Sequence, residues 1–212
     1  IEKCHDSYGR AKRGEPFAKH FHNKYGDHHD LPPYWILVNV MDFGMVVALY
    51  KGSPVLVRKQ IAHNLGINTT VLDSWLLTVN TVRNICAHHG RLWNRTIGNP
   101  PKIPRSPKWH DPYDVKNDKM FGTLTMLSYL LERIAPDTSW RKRLLDMVFG
   151  LTRRNQERMG FTGEWRECPL WKPYLSNTEL SVRPPLTWQA ASPLVASGQA
   201  SLGLPTTCCL ST

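Results

Sequence analysis

The sequence predicts an all-α protein, a bundle of amphipathic helices. Apolar residues recur at three- and four-residue spacing along most of the chain, which is the period of a helix buried on one face. No stretch shows the alternating apolar and polar pattern of a half-buried strand. Capping residues, prolines and glycines divide the apolar segments at intervals of helix length. We therefore expect helices joined by short loops, with one long proline-rich exception.

The first elements are predicted from charge and proline placement. Residues 1–30 are charged and rich in histidine, and we expect a solvated helix end followed by a loop. The histidines and Cys4 lack the ligand spacing of a zinc site, so we predict no metal and no cofactor. Leu31-Pro32-Pro33 then leads into an apolar segment, 34–50, which is long enough for a buried helix interrupted at Gly44.

Two helices are predicted in the middle of the chain. Ser53 and Pro54 are typical of an N-cap and a first helical residue, and Gly66 follows the end of that helix. Polar residues then cap a longer helix that runs from about 70 to at least 89. The prolines of residues 96–114 predict an extended connection, which either passes beside a functional site or serves only as a spacer.

The C-terminal third is predicted to hold two more helices. Residues 118–134 carry apolar side chains at helical spacing, and Thr138 caps a last strong helix with Gly160 just past its end. Residues 174–212 hold only two formal charges among Ser, Thr, Pro, Ala and Gly, so we expect a disordered tail. The predicted organisation is therefore an N-terminal remnant, a helical domain and a low-complexity tail, with bounds 1–30, 31–173 and 174–212.

Composition limits the classes of function. The 212 residues include 27 Lys and Arg against 17 Asp and Glu, and the resulting net charge of +10 favours polyanionic partners such as nucleic acid. Five cysteines show no disulfide or zinc spacing, and no apolar run reaches the ~20 residues that span a bilayer. We therefore expect a cytoplasmic protein without membrane contact. Because the chain begins at Ile1 without methionine, we also expect it to be a fragment of a longer protein.

The predicted helix that begins near residue 70 carries an arginine in its apolar stripe. At about 100° per residue from Leu72, Arg83 projects at roughly 20°, among Trp75, Val79 and Cys86. An arginine is almost never fully buried unless its charge is paired. Arg83 is therefore expected either to have a partner in the core or to line a cleft.

A polar and basic row follows the flank of the same helix. Its members recur at steps of three and four residues and form a continuous row if the helix persists past Gly90. The row consists of Asn80, Asn84, His88, Arg91 and Arg95. Arg83 and His88 project about 140° apart, so contact with a shared ligand requires either a long guanidinium or a second subunit.

Arginine, four residues and histidine is a weak pattern, since it occurs three times in this chain. The copy from Arg105 to His110 lies among prolines, and the copy from Arg58 to His63 is followed by a lysine. Only the copy at Arg83 has an asparagine next in the chain and a long amphipathic helix around it.

The Arg83 copy resembles the signature of the HEPN ribonucleases, which consists of arginine, a polar residue and histidine. Its surroundings are similar to the bacterial Abi-like family, abortive-infection proteins of the AbiD and AbiF type, over roughly residues 15–173. The segments that carry this similarity are Leu31-Pro32-Pro33-Tyr34-Trp35, Asp42-Phe43-Gly44, Leu49-Tyr50, Ile61-Ala62, Ser74-Trp75-Leu76, Arg83 through Arg95, Met159-Gly160-Phe161 and Pro169-Leu170-Trp171-Lys172.

The resemblance implies a HEPN-like helical bundle and a homodimer in which two signature helices build one cleft. It implies an endoribonuclease without a metal, whose products carry 2′,3′-cyclic phosphate and 5′-hydroxyl ends. RNA is then the substrate, and a protein or small RNA serves as a neutralising antitoxin.

The residue types themselves fit this chemistry. Histidine exchanges protons near neutral pH, so His88 is the candidate general acid or base. The planar fork of Arg83 suits two phosphoryl oxygens, and Asn84 lies one turn before His88, where it orients the imidazole or binds a phosphate oxygen. We expect supporting or RNA-binding roles for Asn80, His89, Arg91, Asn94 and Arg95.

Two other interpretations stay open at this stage. In the first, the chain is a non-catalytic RNA-binding module, in which Arg83 and His88 bind RNA without cutting it. In the second, the chain is a purely structural dimerisation bundle. Arg83 then forms hydrogen bonds to helix carbonyls or to a carboxylate, and His88 is a surface residue or a cap at a helix end.

Overall fold

A computed structural model describes residues 2–175 of the chain, and this part is helical, as the sequence predicts. It contains ten α-helices and three short 3₁₀ helices but no strand. The α-helices are α1 (Glu2–Gly14), α2 (Pro16–Tyr25), α3 (Tyr34–Leu37), α4 (Phe43–Gly52), α5 (Val55–Asn64), α6 (Thr69–Ala87), α7 (Met120–Ile134), α8 (Trp140–Phe149), α9 (Arg153–Arg158) and α10 (Lys172–Leu175). The predicted disordered tail lies outside the described residues, apart from its first two positions in α10.

The N-terminal segment differs from the expected solvated helix end and loop, because it forms two helices with a core of their own. Pro16 begins α2, as suits a residue without an N–H group to leave unpaired. Apolar residues of α1, α2 and α3 bury each other, and the rings of Tyr8 and Phe21 meet edge to face at 6.4 Å. The N-terminal core consists of Tyr8, Ala11, Ala18, Phe21 and Leu37.

Two predicted boundaries near α4 are shifted by side chains that bond locally. The apolar segment breaks at Asp42 rather than at Gly44, because the Asp42 carboxylate caps α4 by accepting from the Met45 amide at 2.8 Å. Ser53 does not begin α5. Its hydroxyl donates back to the Leu49 carbonyl at 2.9 Å, so Ser53 ends α4 and α5 begins at Val55.

The main core lies around α6, α7 and α8 and includes the long connection between α6 and α7. Trp75 of α6, Trp109 of the connection and Tyr129 of α7 meet with ring centroids 5.4–5.6 Å apart. The members of the main core include Val71, Trp75, Ile97, Trp109, Val115, Phe121, Met126, Tyr129, Leu145, Val148, Phe161, Trp165 and Trp171.

The long connection is extended, as its prolines predict, but it is anchored to α6. The Trp75 indole donates to the Lys102 carbonyl at 2.8 Å, and the Thr78 hydroxyl donates to the Asn99 carbonyl at 2.8 Å. The connection therefore packs along the N-terminal half of α6.

The last strong helix is divided in two, whereas the sequence predicts one helix that ends near Gly160. The break follows Phe149, and Thr152 caps α9 by accepting from the Asn155 amide at 3.4 Å. The Gln156 side chain donates to the Val148 carbonyl at 3.0 Å, which joins the two pieces. The predicted helix over 118–134 is confirmed as α7. None of the helices in the described residues combines the length and apolarity needed to cross a membrane.

Candidate nucleic-acid interface

The stripe of α6 that contains Arg83 leaves the main core in the second half of the helix. Leu72 and Trp75 are buried, Val79 and Val82 are half-buried, and Arg83 is exposed. Cys86, which the helical projection also assigns to the apolar sector, is exposed as well. Arg83 is therefore not sealed in a core. The face of α6 that carries Arg83 is buried in the N-terminal half of the helix, and Arg83 lies at the exposed C-terminal end of that face.

The guanidinium of Arg83 is held by its neighbour and not by an acid. Arg83 Nη1 donates to the Asn84 side-chain oxygen at 3.2 Å. Within residues 2–175 none of the six ion pairs involves Arg83, Arg91 or Arg95. The positive charges of the signature segment thus remain uncompensated by carboxylates in the described part of the chain.

The helix ends inside the signature, two residues before the predicted limit. The Gly90 amide donates to the Ile85 carbonyl at 2.7 Å and the His89 amide to the Cys86 carbonyl at 3.0 Å, which together form a Schellman motif. His88 is the C-cap residue, and its amide donates to the Asn84 carbonyl at 3.1 Å.

This ending corrects the predicted row. Asn80 and Asn84 lie on α6 and His88 caps it, but Arg91 and Arg95 lie in the connection after it. The row is therefore not a continuous helix face.

Two predicted support residues occupy strained backbone positions. His89 and Asn94 both have a φ of +54°, in the left-handed region that few residues other than glycine adopt. His89 is the turning residue of the Schellman motif. Asn94 turns the chain again, because the Arg95 amide donates to the Leu92 carbonyl at 3.1 Å. Asn94 thus has a structural task beside any contact with RNA.

Trp93 packs against the main core, and two arginines approach its ring. The guanidinium carbon of Arg91 lies 6.0 Å from the ring centroid, and that of Arg158 lies 5.5 Å away. Arg158 ends α9 and is absent from the sequence-based set of site residues. The sequence signal for Arg158 is Met159-Gly160-Phe161, a segment that resembles the Abi-like family and directly follows Arg158 in the chain.

The other two arginine–histidine copies have different surroundings. Arg58 lies 3.9 Å from Asp73, in a partly exposed contact of α5 and α6 beside Tyr50. Burial and the nearby Asp73 carboxylate raise the pKa of Tyr50 to about 12.

His110 of the third copy is bound on both sides. Its Nδ1 lies 2.8 Å from Asp114 Oδ1, and its Nε2 lies 2.9 Å from the Pro104 carbonyl. The hydrogen bonds to Asp114 and to the Pro104 carbonyl raise the pKa of His110. His110 thus joins two parts of the long connection, the Pro104 carbonyl and the Asp114 side chain, by hydrogen bonds.

Cation ligands are not grouped in the described part. Among residues 2–175, no set of three or more His, Cys, Asp or Glu side chains is arranged to hold a metal ion.

A comparison with protein families bears on the segment that holds the signature. Residues 1–94 match the family model described as Abi-like protein. The matched segment is less than half of the chain, is similar to that family and includes Arg83, Asn84 and His88. No curated protein and no solved structure matches the chain.

The Abi-like match covers α1 to α6 and the turns that follow α6 as far as Asn94. It begins earlier than the resemblance drawn from the sequence and includes all three helices of the N-terminal core. It ends before Arg95 and before α9, so the resemblance of residues 95–173 stays a prediction. The HEPN relationship and the roles of the site residues also stay predictions.

Proposed function

We propose that this protein is a metal-independent endoribonuclease of a bacterial abortive-infection system. The observation that carries the proposal is the exposed end of α6, where Arg83, Asn84 and His88 have no carboxylate partner within residues 2–175 and lie in the segment that matches the Abi-like model. A guanidinium and an imidazole without acids beside them suit a phosphate ligand.

The proposed reaction is attack of the ribose 2′-oxygen on the adjacent phosphorus. The new P–O2′ bond forms while the P–O5′ bond breaks, which leaves a 2′,3′-cyclic phosphate and a 5′-hydroxyl. His88 removes the 2′-hydroxyl proton, and the imidazolium so formed supplies that proton to the departing 5′-oxygen. Proton transfer of this kind contributes about 10²-fold to 10⁴-fold to the rate.

Arg83 and Asn84 bind and position the phosphate. The fork of Arg83 donates to two phosphoryl oxygens as negative charge grows on them. In the free protein Asn84 accepts one donor of this fork at 3.2 Å, which restricts the guanidinium before RNA arrives. Asn80, His89, Arg91, Asn94 and Arg95 support the site or bind flanking phosphates.

A homodimer through the signature helix completes the site in this proposal. The C-terminal end of α6 exposes Cys86 one turn from Arg83, so an apolar side chain and the signature share this end of the helix. Within residues 2–175 no hydrogen bond joins Arg83 to His88. A second copy supplies the missing partner for each.

The Abi-like match of residues 1–94 supports a cellular role in abortive infection. Such a ribonuclease acts in the cytoplasm and stops the growth of an infected cell by cutting RNA. It requires a neutralising partner, either a protein or a small RNA, until infection releases it. Growth arrest on expression of the wild-type chain, but not of His88→Ala, is the expected result in cells.

The test compares wild type, His88→Ala and His63→Ala on end-labelled single-stranded RNA with excess chelator. His63 is the matched control, because it is also exposed and follows an arginine by the same spacing, on α5. We expect wild type and His63→Ala to cut RNA to cyclic-phosphate ends, and His88→Ala to lose at least about 10²-fold in rate.

Three outcomes oppose the proposal. Undiminished cleavage by His88→Ala removes the assigned acid and base. Equal RNA binding by all three proteins without cleavage identifies a non-catalytic RNA-binding module. The absence of both binding and cleavage leaves the structural dimerisation bundle.

A further inference from the structure

Two arginines from distant parts of the chain converge on one tryptophan beside the signature. Arg91 and Trp93 follow His88 by three and five residues, whereas Arg158 ends α9. The guanidinium carbons lie 6.0 Å and 5.5 Å from the centroid of the Trp93 ring. Both distances lie within the range in which a cation is attracted to an aromatic face.

The position of Arg158 is fixed by its buried neighbours. Met159 and Phe161 belong to the main core, and the Met159 carbonyl accepts from the Phe121 amide at 2.9 Å. Gly160 has a φ of +94°, and a Cβ atom there would lie 2.8 Å from the Lys119 Cβ. A glycine is therefore required, and the chain passes so close to α7 that Arg158 is held at the outer edge of the core.

No acid balances the pair in the described part of the chain. Glu157, the neighbour of Arg158, is engaged by Arg153 Nε at 3.1 Å. Neither Arg91 nor Arg158 forms an ion pair within residues 2–175. Two cations held near one ring repel each other, and a bound anion relieves that repulsion.

We propose that Arg158 and Arg91 form a second phosphate-binding point for the same RNA strand whose scissile phosphate lies at Arg83. The substrate class rests on the proposed function, and the pairing of the two arginines at Trp93 is the new element. RNA suits this point better than an acidic protein does, because the point adjoins the signature segment and each planar fork matches the oxygens of a phosphate. The strand then runs from α6 along the connection to the end of α9.

The test measures binding of labelled single-stranded RNA as a function of salt, with every protein carrying His88→Ala so that the RNA stays intact. The added variants are Arg158→Gln, Arg158→Lys and Arg143→Gln. Arg143 is the matched control, since it is exposed on α8 and contacts neither Trp93 nor, within the described residues, an acid. Each phosphate contact contributes about 0.7 to the slope of log affinity against log salt for a single strand.

We expect Arg158→Gln to lower this slope by about 0.7 and to weaken binding several-fold between about 50 and 200 mM salt. Arg158→Lys keeps the slope because it keeps the charge, and it binds more weakly than arginine because it lacks the fork. Arg143→Gln leaves the slope and the affinity as they are.

Equal slopes for Arg158→Gln and Arg143→Gln overturn the proposal. Equal slopes are also the result expected if the end of α9 binds an acidic protein instead of RNA. The separate cleavage assay keeps the two proposals apart. Cleavage by wild type with no effect of Arg158→Gln on binding overturns only this inference. An effect of Arg158→Gln on the slope, with no cleavage by wild type, supports this inference and overturns the catalytic role.

Discussion

His89 lies one residue past the C-cap of α6, with a φ of +54° and its amide bonded to the Cys86 carbonyl. Glycine is the usual residue at this place in a Schellman motif, because a Cβ atom is crowded in the left-handed region. The glycine of this sequence comes one position later, at Gly90. There a Cβ atom would lie 2.8 Å from Ile85 Cγ2 and 2.9 Å from the Ile85 carbonyl oxygen, so glycine is needed for close approach.

We predict that His89→Gly raises the free energy of unfolding by about 1 kcal/mol, because it removes the left-handed strain. In a chain of this size, that corresponds to a rise of about 2–4 °C in the midpoint of thermal unfolding. The control is Gly90→Ala, which lowers the midpoint because its methyl group meets Ile85. A lower midpoint for His89→Gly would show that the imidazole stabilises the helix end more than the strain destabilises it.

For Arg83, the periodicity of the sequence predicts the helix face but not the exposure of the side chain. The helical projection indicates which face of α6 carries Arg83, and Leu72 and Trp75 on that face are buried as expected. Periodicity contains no information on where along the helix the core ends, and Arg83 is exposed because the main core ends before it. Its role in catalysis stays a prediction.

At the scale of elements, His110 closes the connection between α6 and α7 by hydrogen bonds that link Pro104 to Asp114 through its ring. Both ring nitrogens face acceptors, the Asp114 carboxylate and the Pro104 carbonyl. A protonated imidazole donates to both, whereas a neutral one donates to only one. Lys116 also contacts Asp114, so the carboxylate lies between two cations.

We predict that this closure weakens as the pH rises through the raised pKa of His110. A histidine whose pKa is raised above its ordinary 6.5 stabilises the folded connection fully below the unfolded value, and that stability is lost above the folded one. An NMR titration of the His110 ring checks the direction of the shift, and amide exchange of the connection checks the loss of protection. Asp114→Asn is expected to lower the pKa of His110; an unchanged pKa would contradict the assigned cause.

Element boundaries were predictable where apolar spacing is long and regular, and they failed where one side chain decides. The spacing of residues 118–134 predicts α7 closely. Asp42, Ser53 and Thr152 each form a local hydrogen bond that moves a boundary, and several such residues in the sequence are equally able to cap. The convergence of α9 on Trp93 depends on long-range packing, which spacing does not reveal.

At the scale of the whole molecule, the proposed site lies at the rim of the main core, where its arginines are exposed. The signature, Trp93 and the end of α9 share this rim, and the side chains of Arg83, Arg91 and Arg158 carry charge without acids beside them in residues 2–175. A site of this kind is open to a strand of RNA and to a second copy of the chain. In the homodimer proposed above, the Arg83 of one copy and the His88 of the other build one site; within residues 2–175 of one copy no hydrogen bond joins these two side chains.

The most direct measurement mixes two variants, Arg83→Ala and His88→Ala, under conditions that allow the subunits to exchange. Each variant alone is expected to be inactive on RNA in chelator. The mixture is expected to regain cleavage, because a mixed dimer unites the intact Arg83 of one copy with the intact His88 of the other. A mixture that exchanges subunits and remains as inactive as its components would contradict the account.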